Sequence, residues 1–417
     1  MNWDVARLTG PDNEDWRVPV SELQSRQKLV ANILLSNGIE SAMIDDPVEL
    51  YWLTGGRQNS SIVIGAKDSG IETRHWVRQS LDRAIFEAGA NNSPHIIEKH
   101  PRMNELGDSL RKLGCTKKPA LLLSKIPHER WSFLNSKFTQ LSGESENCSN
   151  LMYQLRETKS DWEITMHKES GKINQLMFES IRDKCGEGDT EIEMASVADK
   201  VSRAEGFGGR IRMRKWPMDC DRVVIAAGGS GAVPSYFDSA IGGLGASPIS
   251  ALGAGFAKVK VKEPVLVDIV HLHRGYVSDC TRMFCQGKLS DEWNQRLEDM
   301  SEISNAVVDS LGKGNNCSNA WEVGNKMAEE MGHSKHLMGM KPEQANFLGH
   351  SVGLELDETP VVAKGFDRPL VIQGTMAIEP KVIYENGAIG IEDTWTRTND
   401  GMECLTMGNK FPKITEW

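Results

Sequence analysis

The chain has 417 residues, of which 39% are hydrophobic and 25% are charged, a balance typical of a globular protein with two or three domains. Its formal net charge of -10 argues against a general binder of nucleic acid or of anionic membranes. No stretch approaches the roughly 20 apolar residues of a membrane-spanning helix, so we expect neither a nucleic-acid nor a membrane partner.

The start of the chain, MNWDVARLTGPDNEDW, lacks a basic segment followed by an apolar core, so we expect no signal peptide. The eight cysteines are scattered and form no CxxC pair, which favours free thiols in a reducing compartment. We therefore expect a cytoplasmic protein. Cys280 and Cys285 lie five residues apart on one predicted strand, so their side chains face opposite sides of the sheet. Cys280 also faces away from its neighbour Asp279.

The first 150 residues alternate between helical and strand patterns. Apolar residues recur at helical spacing from Pro19 to Ser36, and the following Asn37-Gly38 is a typical helix end. Short strands and helices continue as far as the polar, turn-rich stretch GESENCSN, which predicts a linker. We predict an α/β domain over residues 1–150 and a second domain over residues 151–417.

The second domain begins with two helices, each with a capping box. Ser160 is followed three residues later by Glu163, and Thr190 by Glu193. A strand, VVIAA, then leads into a glycine-rich run between Gly228 and Gly245. No helix start and no GK[ST] follow that run, so we interpret it as a surface loop rather than a phosphate-binding loop.

The stretch PVLVDIVHLHRGYVSDCTRMF predicts a β-hairpin with one acidic residue on each arm. If the turn centres on His273 and Arg274, Asp268 faces Asp279 across the ladder. Directly opposed residues have Cβ atoms roughly 5 Å apart. Two carboxylates that close repel each other unless a cation lies between them.

A second hairpin repeats this arrangement. TMAIEPKVIY leads to an Asn-Gly turn and AIGIEDTWT returns, a strong hairpin pattern. A turn at Glu385 and Asn386 places Glu379 opposite Glu392, and His350 lies between the two hairpins in sequence. Four carboxylates and one imidazole form an oxygen-rich site that suits two divalent ions, such as manganese, cobalt, zinc or iron.

These residues carry a family resemblance. VDI…SDCTR, GHSVGLEL, AIEP and GIEDT match, in order and spacing, the five-ligand pattern of the creatinase, aminopeptidase P and prolidase family, which has the pita-bread fold. The resemblance covers about residues 155–411, and DDPVELYWLTGGRQN is similar to the N-terminal domain of that family. It implies an α/β (α+β) protein in which an N-terminal creatinase-type domain precedes a pita-bread catalytic domain.

The resemblance also implies a ligand set and an activity. Asp268 would bind one metal ion, Asp279 and Glu392 would bridge two, and His350 and Glu379 would complete the other. Glu379 would also accept the proton of the metal-bridging water. The expected enzyme is a metal-dependent hydrolase of the Xaa-Pro aminopeptidase or dipeptidase type, using two ions, with manganese the first expectation. It would act on a small peptide or other small molecule as a homodimer.

The chain departs from the peptidase pattern where relatives carry accessory histidine or arginine residues. Asp357 stands at the usual second histidine, and Gly390 at the usual arginine two residues before the bridging glutamate. Two further positions hold Asn346 and Ser235, or Tyr236 in place of Ser235 if the register shifts by one. As a candidate catalytic residue, Asp357 could hold the free amino group of the substrate. Alternatively, Asp357 or Glu358 could act as the base of a lyase, or Asp357 could be a structural capping residue.

Other members of the same family keep several functions open. They include creatinase, an ectoine hydrolase, a dimethylsulfoniopropionate lyase and catalytically silent binding proteins. Silent relatives usually lose some metal ligands, whereas all five stand here, and this favours an enzyme.

Overall fold

The computed structural model describes residues 10, 13–207, 209–215 and 218–417. The chain divides into two compact units, one up to Arg156 and the other from Glu157. Among the helices of the described residues, none has the length and apolar character required to cross a bilayer.

The first unit contains one mixed sheet with helices around it. Strands β1, β2 and β3 pair antiparallel in that order, and β4 joins β3 in parallel. The elements are α1 (Val20–Ser36), β1 (Ser41–Ile44), α2 (Pro47–Thr54), β2 (Ser60–Gly65), β3 (Arg74–Val77), α3 (Leu81–Glu87), β4 (Ile96–Lys99), α4 (Leu106–Lys112), α5 (His128–Asn135) and α6 (Ser149–Glu157).

Local signals determine where α2 begins and ends. The Asp46 carboxylate accepts hydrogen bonds from the amides of Val48 and Glu49, and Gly55 ends the helix with φ at 76°. Glu49 of this helix is buried and pairs with Arg156 at 2.6 Å. The pair leaves neither charge unmatched inside the unit.

Within its described residues, the second unit combines four α-helices with three sheets. The strand orders are β15-β7-β6-β5, β14-β13-β10-β8-β9 and the two-stranded β11-β12. The elements are α7 (Asp161–Lys184), α8 (Glu191–Ala204), β5 (Val223–Ala227), β6 (Val265–His273), β7 (Tyr276–Cys285), α9 (Asp291–Gly312), α10 (Cys317–Glu330), β8 (Phe347–Ser351), β9 (Glu358–Ala363), β10 (Thr375–Ile378), β11 (Lys381–Tyr384), β12 (Gly387–Gly390), β13 (Asp393–Thr398), β14 (Gly401–Cys404) and β15 (Ile414–Glu416).

Both predicted capping boxes are confirmed at the starts of α7 and α8. The Ser160 hydroxyl accepts from the Glu163 amide while the Glu163 carboxylate accepts from the Ser160 amide, and Thr190 and Glu193 repeat the exchange. Each box satisfies backbone donors that a helix start leaves without partners. Helix α7 contacts β6 and β7, and helix α8 contacts β5.

The two faces of strand β6 have different neighbours. Val265, Val267 and Ile269 pack into a core cluster that includes residues of α7 and α8. Cys280 joins that cluster and Cys285 joins the cluster on the other side, so the predicted opposite orientation of these thiols is confirmed. Because strand side chains alternate, Asp268 points away from the two helices.

Candidate metal centre

The β6–β7 hairpin turns at Arg274 and Gly275. Both residues have positive φ, at 52° and 96°, as a two-residue type I′ turn requires. Glycine at the second position adopts this conformation without a steric penalty. The ladder therefore pairs Asp268 with Thr281, and Val270 with Asp279.

The predicted direct pairing of Asp268 with Asp279 is wrong, because it placed the turn at His273 and Arg274. In the structure His273 is still part of the ladder and pairs with Tyr276. The partner of Asp268 changes by two residues, which keeps both carboxylates on the same face of the sheet. They are diagonal neighbours, with an expected Cβ separation of roughly 7–8 Å, and this leaves more room between them.

The predicted register of the second hairpin is confirmed. Tyr384 pairs with Gly387 beside the turn, and Ile378 pairs with Asp393 at the far end. Glu379 and Glu392 lie between these two paired segments, β10–β13 and β11–β12. Because both segments have the same register, Glu379 is aligned with Glu392. The predicted two-residue turn at Glu385 and Asn386 therefore gives the observed pairing.

A short backbone bridge joins the two hairpins. Thr281 and Glu392 exchange two backbone hydrogen bonds of 3.3 Å, and the Thr281 hydroxyl donates to Glu392 Oε2 at 2.8 Å. Beside them, the Asp279 amide donates to the Thr394 hydroxyl at 2.9 Å, and that hydroxyl donates to the Asp279 carbonyl at 3.0 Å. These contacts bring carboxylates from distant parts of the chain to one place.

Strand β8 adds His350 to the same place. His350 pairs with Ala377 on β10, and the Glu379 amide donates to the Leu348 carbonyl at 3.0 Å. His350 Nε2 lies 3.2 Å from Glu379 Oε1 and 3.9 Å from Asp279 Oδ2. The imidazole thus faces the carboxylates rather than the solvent.

Asp279, His350 and Glu392 form a group whose possible ligand atoms all lie within 4.8 Å of one another. Two buried oxygens in this group, Asp279 Oδ1 and Glu392 Oε1, have no hydrogen-bond partner among the described residues. Buried carboxylate oxygens without a donor are unfavourable unless a cation satisfies them. The donor set of oxygens and one imidazole therefore fits a divalent metal ion.

The charges of the site shift the pKa values of its members in opposite directions. Burial raises the pKa of Asp279, and neighbouring carboxylates raise it further. Burial also raises the pKa of Glu392 to about 8. Burial would lower the pKa of His350, but the hydrogen bond and charge of Glu379 raise it to about 9. Burial would raise the pKa of Glu379, but Lys381 and His350 lower it to about 2.

Lys381 is a member of the site that our sequence interpretation missed. Its buried Nζ lies 2.5 Å from Glu379 Oε2, 2.9 Å from Glu392 Oε2 and 3.3 Å from Asp268 Oδ2. Lys381 stands two residues after Glu379, and period-two alternation along an extended strand places both on one face. This spacing of two residues was the sequence signal that could have placed Lys381 in the site.

A cavity of about 350 Å³ opens onto Asp279 and His350 of the candidate metal group. Asp268, Asp279, His350 and Glu379 line it together with Asp357. Most of its remaining wall is apolar, formed by Met213, Met218, Val224, Phe237, Ile241, Leu252, Val270, Phe347, Leu356 and Val361. A mostly apolar pocket with a few convergent polar groups is typical of a small-molecule site.

Asp357 lines the cavity, and both of its carboxylate oxygens accept backbone hydrogen bonds. Oδ1 accepts from the Arg214 amide at 2.5 Å and Oδ2 from the Lys215 amide at 2.9 Å. Asp357 thereby holds residues 214 and 215, which also line the cavity. Glu358, the other suggested base, is buried and pairs with Lys159 at 3.0 Å.

Comparisons with known proteins give the chain a family and a fold. The model of metallopeptidase family M24 matches residues 165–399. The chain is 25% identical to the Xaa-Pro dipeptidase of Lactobacillus delbrueckii subsp. lactis over 277 residues, which is 65% of each chain. It is 26% identical to the Xaa-Pro dipeptidase of Pyrococcus furiosus over 388 residues, which covers 92% of this chain and 98% of that one.

Solved structures show the same fold. The X-Pro aminopeptidase from Thermotoga maritima superposes with a TM-score of 0.74 at 19% identity, over 91% of this chain and 98% of that one. The Xaa-Pro dipeptidase from Bacillus anthracis gives 0.76 at 20% identity, over 96% and 100%. These likenesses confirm the predicted mixed α/β fold of the pita-bread type.

Proposed function

This chain belongs to metallopeptidase family M24, and from that membership we propose that it is a metal-dependent Xaa-Pro dipeptidase or aminopeptidase. The observation that carries the proposal is the group of Asp279, His350 and Glu392, with two buried oxygens that have no donor among the described residues. Such a group on the fold of this family is what a hydrolytic metal site requires. The relatives named Xaa-Pro dipeptidase support the substrate class.

We propose that Asp279, His350, Glu379 and Glu392 hold the metal and that Asp268 completes the acidic wall. A bound divalent ion would supply an activated water and polarise the scissile carbonyl. Glu379 would accept a proton at a carboxylate oxygen, which Lys381 and His350 orient through contacts of 2.5 Å and 3.2 Å.

The cavity supports a small peptide as substrate. Its apolar wall can contact a proline ring and an apolar first side chain, and the acidic wall can attract a free amino group. The hydrogen bonds of Asp357 support a positioning role, in which it keeps residues 214 and 215 in the wall, over direct proton transfer. We therefore propose that Asp357 shapes the substrate pocket.

Further features of the enzyme remain proposals. Manganese is the proposed metal because the ligands are mostly hard oxygens, and two ions are what the resemblance predicts. Residues 1–150 and 151–417 are the proposed domains, and the compartment is proposed to be the cytoplasm. A homodimer is proposed, and several large exposed apolar side chains on one loop would suit a subunit contact: Tyr236, Leu244, Ile249 and Phe256.

The proposal is tested by activity on a panel of substrates after metal removal and reloading. We expect hydrolysis of Xaa-Pro dipeptides or longer Xaa-Pro peptides by the reloaded protein, and none by the chelated protein. Creatine, ectoine and dimethylsulfoniopropionate complete the panel, because the accessory positions of the peptidases differ here. Turnover of one of these alone would replace the peptidase proposal, and no turnover with no metal uptake would favour a silent binding protein.

A further inference from the structure

The carboxylates of the site already share a cation that belongs to the chain. The Lys381 side chain is 2% exposed, and its Nζ contacts Asp268, Glu379 and Glu392. We propose that this ammonium takes the place of one of the two metal ions, so that the centre binds a single divalent ion. The inference rests on the proposed function, because it concerns the same metal site.

The two carboxylate oxygens of Glu392 differ in whether they already have hydrogen-bond donors. A carboxylate that bridges two ions gives one oxygen to each. Here Oε2 accepts from the Thr281 hydroxyl at 2.8 Å and from Lys381 Nζ at 2.9 Å, while Oε1 has no partner among the described residues. Because an ionised carboxylate oxygen has two lone-pair sites, Oε2 is fully used and Oε1 remains for a metal.

The remaining proposed ligands likewise fall into one set that is available to a metal ion and one that faces Lys381. The group with ligand atoms within 4.8 Å of one another contains Asp279, His350 and Glu392. Asp268 would be the ligand of the second ion, and its Oδ2 instead faces Lys381 Nζ at 3.3 Å. One side of the centre therefore offers two carboxylate oxygens, Asp279 Oδ1 and Glu392 Oε1, without a partner among the described residues, and the other side already contains a positive charge.

Gly390 makes this position of Lys381 possible. Gly390 is the direct cross-strand partner of Lys381. A Cβ at residue 390 would lie 2.3 Å from Lys381 Cγ, well inside van der Waals contact. That atom belongs to the stem of the lysine rather than to its mobile end, so a side chain at 390 would force the lysine out of the site. The glycine that replaces the usual arginine is thus matched to the lysine opposite.

The experiment is a count of bound metal. Apo protein is loaded with manganese, freed of excess, and measured for ions per chain and for its electron paramagnetic resonance spectrum. We expect one ion per wild-type chain and the spectrum of an isolated manganese ion. Two ions per chain with an exchange-coupled spectrum would overturn the inference and leave the proposed function intact. No binding at all would overturn both.

Two variants test whether Lys381 is the cause. Lys381→Met keeps the length of the side chain and removes its charge, and the double variant Lys381→Gly with Gly390→Arg removes the lysine and restores the arginine. We expect both to bind a second ion per chain and to show exchange coupling. One ion in folded samples of both variants would overturn the role of Lys381.

The matched control is Lys159→Met. Lys159 is also a buried lysine of this unit, and it pairs with Glu358 at 3.0 Å. We expect its folded fraction to bind one ion, as the wild type does. A second ion in this variant would show that loss of any buried lysine changes the count and would overturn the specific assignment. Circular dichroism of each variant verifies that the counted protein is folded.

Discussion

Two buried charge clusters in the second unit differ in their balance. In the first, Lys159 and Arg214 pair with Glu355 and Glu358, so these contacts join two cations to two carboxylates. In the second, Asp268, Asp279, Glu379 and Glu392 surround Lys381 and His350, so carboxylates outnumber the permanently charged cation. Below, we refer to these as the balanced cluster and the acidic centre.

The difference separates a structural cluster from a binding site. In a balanced buried cluster, each charged side chain is paired with an opposite charge inside the protein. Removal of one charged side chain leaves its partner as a buried charge that is less well compensated. An acidic excess is unfavourable without a further positive charge, which protons or a metal ion must supply. The unmatched oxygens of Asp279 and Glu392 are where that charge is missing.

The largest expected effect comes from removal of a proposed metal ligand of the acidic centre. Asp279→Asn and Glu392→Gln should each abolish metal binding and reduce kcat by about 1,000-fold or more, because the metal contributes several kcal/mol to the barrier. Asp309→Asn on the exposed face of α9 is the control and should retain both. Normal metal content with full activity in either ligand variant would refute the site.

The next effect concerns the stability of the balanced cluster. Lys159→Met leaves Glu358 without its 3.0 Å partner, and we expect a loss of about 3 kcal/mol in the free energy of unfolding. Urea denaturation of wild type and variant measures it. Unchanged stability would mean that the two clusters do not differ in the way described.

The acidic centre should also respond to pH through its metal affinity. The pKa of His350 is raised to about 9 and that of Glu392 to about 8, so both hold protons at neutral pH when no metal is bound. Metal must displace these protons, so affinity should fall by roughly tenfold for each displaced proton per unit decrease in pH. Calorimetric titration with manganese between pH 6 and pH 8 measures the slope. An affinity independent of pH would contradict this prediction.

The smallest effect is expected at Asp357, which lines the cavity of the acidic centre and contacts Arg214 of the balanced cluster. Its carboxylate holds the Arg214 amide, and the Arg214 guanidinium belongs to the balanced cluster. Asp357→Asn retains one acceptor oxygen and loses the other, which should reduce kcat/KM by roughly tenfold through one lost hydrogen bond.

Whether Asp357→Asn changes kcat or KM distinguishes the possible roles of Asp357. A positioning residue should mainly raise KM and leave bound metal unchanged, whereas a lyase base would lose kcat with little change in substrate affinity. If every tested reaction is unaffected, residues 214 and 215 do not need this carboxylate for function.

Much of the fold was predictable because its signals are local. The capping boxes at Ser160 and Thr190 lie within one helical turn, and the two-residue turn at Glu385 and Asn386 sets the register that aligns Glu379 with Glu392. Strand alternation was enough to place Cys280 on the face opposite Asp279. The register of the first hairpin was predicted wrongly because the positive φ of Arg274 and Gly275 moved the turn by one residue.

The sequence by itself determined which candidate ligand residues the chain carries and which faces of its strands they occupy, since both depend on residue type and period-two alternation. Only the tertiary structure decided which atoms meet. The bridge between Thr281 and Glu392 joins residues 111 positions apart, and Lys381 reaches Asp268 because Gly390 leaves its path open. Such contacts depend on how separate hairpins pack, and no periodicity within either hairpin specifies them.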